Sequence, residues 1–131
     1  MQQIEDLLTT SRTIAVVGLS PKKNRPSNMV GRYLIDAGFE VIPVNPAQSE
    51  ILGSVCYPDL AAIPDKVDIV NIFRKADDVP PIVELAIVSG VRAVWMQQGI
   101  INETAATHAR NSGLICIMDL CIKVEHARLS S

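Results

Sequence analysis

The chain has 131 residues, 48% apolar and 20% charged, with a formal net charge of −2, which describes one compact domain able to bury about two-thirds of its unfolded surface. Three cysteines without CxxC spacing exclude a disulfide scaffold and a structural zinc, and suit a reducing cytosol. The small net charge and 4% aromatics argue against nucleic-acid binding, and no apolar run approaches the ~20 positions of a membrane span.

The acidic opening MQQIEDLLTT lacks the basic region of a signal peptide, so a cytoplasmic protein is expected; no regular element is assigned to it. From Thr13, TIAVVGL is a continuous β-branched run ending at Gly18, the pattern of a strand buried on both faces. The loop SPKKNRP leads into SNMVGRYLIDAG. There Met29, Val30, Tyr33, Leu34 and Ala37 recur at helical spacing, with Ser27 expected as the cap and Gly38 as the stop. FEVIPVNP is the next strand, and Pro43 within it implies an edge position or a bend. The stretch 47–66 has turn signals at Gly53, Pro58 and Pro64, with a short strand at Val55 and Cys56 and a small helix at Asp59 to Ala62. VDIVNIF is again a buried strand, ADDVPPIVELAIVSG a helix closed by Gly90, and VRAVWMQ a third buried strand. NETAATHARNSG is a helix with Asn102 as its cap, LICIMD a last apolar run, and LCIKVEHARLSS a short closing helix.

Strands separated by helices predict an α/β fold in a single domain, Rossmann-like and doubly wound around a mostly parallel sheet. In such sheets ligands settle beyond the carboxyl ends of the strands, where strand order reverses. Those ends are Gly18 to Ser20, Asn45 and Pro46, Phe73 and Arg74, and Met96 to Gly99. The first turn has the makings of an anion site: Gly18 permits a tight exit, and the helix start near Ser27 offers unpaired N–H groups. Lys22, Lys23 and Arg25 crowd positive charge into that loop, and Ser20, Ser27 and Asn28 add donors. Taken singly, each also reads as a solvated charge or a helix cap; together they favour phosphate.

The turn is not the dinucleotide fingerprint. GLSPKKNRPSN contains no GxGxxG, and Asn45 stands where a ribose-reading acid would be, which disfavours NAD. His108 and His126 lie away from the strand ends, no GxSxG, HExxH or GxxxxGK[ST] occurs, and the acids are scattered over loops. No catalytic residue and no metal ligand set is assigned. Cys116 reads as core, and Cys121 as inert if buried and reactive if it faces the cleft. Trp95 reads as a packing anchor, and the all-round apolar helix Val79 to Ser89 as core or as a face for a partner or a second copy.

VVGLS with RPSN, PVNP, GSVCYPDL with AAIPD, the GI after MQQ, and DLCIKVEHARL together resemble the stand-alone CoA-binding proteins over about residues 13–125. Their domain is similar to the CoA-binding domain of the succinyl-CoA synthetase alpha subunit. The resemblance implies coenzyme A, free or acylated, as the ligand. It implies that Gly18, Leu19, Ser20, Arg25, Ser27 and Asn28 approach the CoA phosphates, and that Asn45 and Pro46 flank the adenosine. Phe73 and Arg74 match a further edge of the site, Met96, Gln97, Gln98 and Gly99 match the segment along the pantetheine arm, and Cys121 falls near the thiol end. Two departures stand out: Leu120 replaces a frequent arginine, and NPAQSE lacks a basic residue, which leaves the 3′-phosphate to Lys22, Lys23 or Arg25. The synthetase's phosphohistidine domain and ATP-grasp partner have no counterpart, so the expectation is binding without catalysis, as a carrier, sensor or partner subunit. The alternatives are a nicotinamide-dependent reductase and a nucleotide-sensing module that docks a partner through the Val79 to Val88 helix.

Overall fold

The computed structural model of the chain describes residues 2–129, so Ser130 and Ser131 of the expected closing helix lie outside the described residues. The β-branched run after Ser11 forms β1 (Thr13–Val17), every residue of which is buried. It is followed by α2 (Pro26–Asp36) and β2 (Glu40–Val44), and preceded by α1 (Gln2–Thr10). A small hairpin pairs β3 (Glu50–Ile51) with β4 (Ser54–Val55), and a single 3-10 turn at Leu60–Ala62 leads to β5 (Ile69–Ile72). Then come α3 (Val79–Ser89), β6 (Ala93–Met96), α4 (Glu103–Asn111), β7 (Ile115–Ile117) and α5 (Ile122–Leu129).

The main sheet is parallel in the order β2-β1-β5-β6-β7, the expected doubly wound α/β arrangement. Side chains alternate along each strand, and this parity splits the core in two. Ala15, Val17, Val70, Ile72, Val94 and Met96 pack with α3 and α4 on one face. Ile14, Val16, Ile69, Trp95 and Ile117 pack with α1, α2 and α5 on the other. The helix after β1 therefore covers one face and the helix after β5 the other. Because β1 and β5 are neighbours, a crevice opens between their carboxyl ends, the switch point of this topology.

Pro43 sits, as expected, on the edge strand, whose outer rim is covered by Tyr57: its N–H donates to the Pro43 carbonyl at 3.0 Å. Asn102 caps α4 by accepting from the Ala105 N–H at 2.9 Å, and Gly90 ends α3 in the left-handed region at φ 72°. Two expectations need correction. Ser27 is not the cap of α2: Arg25 holds that position without a side-chain bond, and Pro26 opens the helix because its missing N–H costs nothing there. The acidic opening is a helix, α1, whose Ile4, Leu7 and Leu8 are buried at the i, i+3, i+4 spacing of an amphipathic element.

Trp95 is fully buried, and its indole N–H donates to the Leu120 carbonyl at 2.8 Å, tying β6 to the start of α5. In α3 the apolar surplus is spent on the core. Val79, Val83 and Ala86 are fully buried, Ile82, Leu85 and Ile87 pack against that core, and only Val88 among its large aliphatics is exposed. Among the described residues no helix is long and apolar enough to cross a membrane, and no cluster of His, Cys, Asp or Glu could hold a metal ion.

Candidate functional site

The crevice is shaped first by Gly18. Its φ of +88° favours glycine, and a Cβ there would lie 2.7 Å from the Phe73 carbonyl oxygen, so only glycine lets the end of β1 approach the end of β5. Its N–H donates to the Val44 carbonyl at 2.8 Å, which joins the ends of β1 and β2. Gly31 serves α2 in the same way. A Cβ there would meet the methyls of Leu19 and Leu52 at 3.2 Å, so the helix packs directly on the turn.

The basic loop is held by side chains from α2. The Ser20 N–H donates to Ser27 Oγ at 2.9 Å, Asn28 Nδ2 donates to the Ser20 carbonyl at 2.8 Å, and the Lys22 N–H donates to Ser20 Oγ at 3.1 Å. Arg32 closes the arrangement, its Nε donating to Asn28 Oδ1 and its Nη2 to the Lys23 carbonyl, each at 3.0 Å. Ser27 and Asn28 are buried, so their side chains build the loop rather than reach outward. Lys22 and Arg25 remain exposed, their side-chain cations without a hydrogen-bond or ion-pair partner among the described residues, on a niche of about 450 Å³ that also takes in Gly18, Ser20, Ser27 and Phe73. The backbone N–H of Ser27, in the first turn of α2, has no acceptor among the described residues. Lys23 is exposed but lies outside the niche lining.

The niche shares Pro26 and Phe73 with an adjoining cleft of about 710 Å³ between Met29 and Val30 of α2 and Cys121, Lys123 and Val124 at the start of α5. Gln97 lines its floor and is only 7% exposed. Its Oε1 accepts from Asn71 Nδ2 and from the Ile122 N–H, both at 3.3 Å. That fixes the carboxamide and leaves Nε2 as a donor without an acceptor among the described residues. Asn71 Oδ1 is buried with no partner among the described residues. On the opposite face a slot of about 130 Å³ lies between Pro46, Pro58, Ile82 and Leu85. Arg74 lines both slot and cleft, and its Nη2 pairs with Asp78 Oδ2 at 3.2 Å in a half-exposed contact.

Of the residues singled out from sequence, Gly18, Ser20, Lys22, Arg25, Ser27 and Phe73 meet in the niche. Arg74, Gln97 and Gln98 line the cleft, and Pro46 lines the slot. Others point elsewhere. Met96 is fully buried in the α3 and α4 layer, because strand parity turns it to the face opposite Gln97, and the Leu19 side chain is fully buried under Gly31. Asn45 uses both ends of its side chain internally, Nδ2 to the Leu19 carbonyl at 3.0 Å and Oδ1 from the Ala47 N–H at 2.8 Å. Gly99 donates its N–H to Asp119 Oδ1 at 2.7 Å beside the cleft, outside its lining. Sequence reasoning missed Met29, Val30, Lys123 and Val124 as cleft walls. The helical spacing of Met29 and Val30 marked them as core, and nothing local shows that α5 returns to the first helix.

Cys121 is half-buried on the cleft wall, whereas Cys56 and Cys116 are buried. Burial pushes the thiols of both buried cysteines up; the Asn45 backbone partly offsets this at Cys56, and Arg110 does so at Cys116. Neither histidine reaches the cleft. His108 pairs with Glu84 on the surface between α3 and α4, and His126 Nδ1 meets the Tyr33 hydroxyl at 2.8 Å with its ring edge-on to Tyr33 and Phe39.

A cationic niche joined to a long, mostly apolar cleft is the geometry of a site for an elongated phosphorylated ligand. A family model described as a CoA binding domain matches residues 12–127. The chain belongs to this CoA-binding domain family. It is 43% identical over 125 residues to an uncharacterized protein of Bacillus subtilis, YneT, covering 95% of this chain and 93% of that one. A hypothetical protein from Pyrococcus horikoshii shares its fold with a TM-score of 0.96 and 41% identity, over 99% of this chain and 92% of that one. An ADP-forming acetate–CoA ligase of Archaeoglobus fulgidus is 38% identical over 73 residues, 56% of this chain but 11% of the ligase. The sequence resemblance to CoA-binding domains is thus borne out.

Proposed function

We propose that this protein binds coenzyme A or an acyl-CoA along the crevice and carries no catalytic machinery of its own. The observation that carries this reading is that the niche of Lys22 and Arg25 adjoins the apolar cleft, the two sharing Pro26 and Phe73 in their walls. The pyrophosphate and 3′-phosphate suit the unpaired cations and the Ser27 N–H, where charge-assisted bonds are strongest. The pantetheine arm, long and mostly neutral, suits a cleft whose buried polar group is the Gln97 carboxamide, its Nε2 turned toward an arm carbonyl. The slot at Pro46 and Pro58 suits the adenine ring. A nicotinamide cofactor is disfavoured because Asn45, already committed to Leu19 and Ala47, offers no carboxylate for a ribose.

Calorimetric titration with CoA, NADH and ATP tests this. CoA should bind most tightly, and Arg25→Ala should weaken it by about 1.5–3 kcal/mol, roughly ten- to a hundredfold. Tighter binding of NADH than of CoA would overturn the reading, and an unchanged affinity in Arg25→Ala would remove Arg25 from it.

A further inference from the structure

Cys121 stands apart from the other two cysteines, which are buried, because it lines the cleft at the amino end of α5, where its carbonyl accepts from the Glu125 N–H at 3.0 Å. Gln97 gives an independent sign that this end of the cleft takes a ligand. It is only 7% exposed, and its Oε1 is held by Asn71 and by the N–H of Ile122, the residue next to Cys121. Its Nε2 has no acceptor among the described residues, and the carbonyl of an incoming ligand would give it one. Lys123, two positions beyond the thiol, lines the same wall, with its ammonium 5.7 Å from the centroid of the Tyr33 ring. If the phosphates lie in the niche and the arm follows the cleft, the ligand's sulfur is carried toward Cys121.

We propose that Cys121 is a thiol–disulfide exchange site that forms a mixed disulfide with the ligand's own sulfur. This rests on the CoA reading above, and the co-reactant is the disulfide of CoA, which is also the oxidant. The Cys121 thiol gives its proton to solvent, and its thiolate attacks one sulfur of that disulfide. A Cys121–CoA S–S bond forms, the original S–S bond breaks, and the departing CoA thiolate takes a proton from solvent. Exchange needs no general base beyond the thiolate. Acyl transfer to Cys121 would need a group to release the acyl-enzyme, and both histidines are engaged elsewhere, His108 with Glu84 and His126 with Tyr33.

The test uses the full chain, reduced, freed of small molecules and followed by intact-protein mass spectrometry. In one arm it is incubated with CoA disulfide, in another with glutathione disulfide, which lacks the nucleotide. The expected result is one CoA adduct per chain, released by dithiothreitol, mapped to the peptide containing Cys121 and absent in Cys121→Ser. It should form at least about tenfold faster than the glutathione adduct, because binding raises the effective concentration. Equal rates with the two disulfides, or an adduct on Cys56 or Cys116, would overturn the proposal, as would acylation of Cys121 by acetyl-CoA without exchange. Titration of the unmodified protein with reduced CoA separates the two layers. CoA binding without an adduct defeats only the exchange site, whereas no binding defeats the reading beneath it as well.

Discussion

At Gly18 the carboxyl end of β1 runs against the carbonyl of Phe73, and the absence of a side chain is what allows the crevice to form there. Gly113 gives a natural comparison: it has nearly the same φ, +90°, but nothing within 4 Å of the Cβ that a substitution would add. Gly113→Ala should therefore cost the backbone strain alone, about 1–3 kcal/mol, and Gly18→Ala distinctly more, since it adds a backbone clash at the sheet centre. Urea unfolding of the two variants measures the difference, and equal losses would show that the Phe73 contact relaxes without cost. Asn45 teaches the reverse lesson at the same scale. Its position at a strand end made it a ligand residue in the sequence, but its amide and carbonyl are both committed to shaping the turn around Leu19 and Ala47.

Between α2 and the basic loop the decisive residue is Arg32, which lies outside the niche lining and pins the loop through Asn28 and the Lys23 carbonyl. Losing it frees the segment that carries Lys22 and Arg25, so part of the ligand's binding energy must be spent on ordering it. Arg32→Ala should weaken CoA binding about two- to tenfold, less than Arg25→Ala, through the loss of two bonds that each contribute about 1 kcal/mol. Amide hydrogen exchange in residues 21–25 should quicken in the ligand-free variant, a change that a purely electrostatic role for Arg32 would not produce. For α3 the element scale accounts for the core reading of its apolar residues. Its apolar residues wrap most of the helix because it lies against the sheet and also packs against α4 and the 3-10 turn at Leu60–Ala62, leaving Val88 as the exposed aliphatic.

Across the whole molecule, the two core layers enclose Cys56 and Cys116 and hold their thiols neutral. Burial raises both above the unfolded value, so their contribution to stability is fully present below the unfolded thiol pKa. It declines as pH rises from about 8.5, where the unfolded chain releases protons first, and is lost once pH passes the raised native values. Urea midpoints measured across that range should fall on the alkaline side. Cys116→Ala should be less stable near neutrality but show a shallower alkaline decline, and an unaltered slope would show that Cys116 does not contribute to it.

The order of the main-sheet strands and the helices between them, the parallel sheet and the basic first turn were legible in the sequence, because buried strand runs, helical spacing and loop charge are properties of contiguous residues; the hairpin of β3 and β4, read there as one short strand at Val55 and Cys56, was not. Even α1, left without an assignment, carried its signal in Ile4, Leu7 and Leu8. Which residues face the crevice was decided only in three dimensions. Met96 and Gln97 are adjacent in the chain, yet strand parity sends one into the core and the other to the cleft floor. Met29, Val30, Cys121, Lys123 and Val124 come to line one cleft only because the last helix packs back beside the second. That return depends on contacts between segments about ninety residues apart, as between Tyr33 and His126, and no local pattern encodes them.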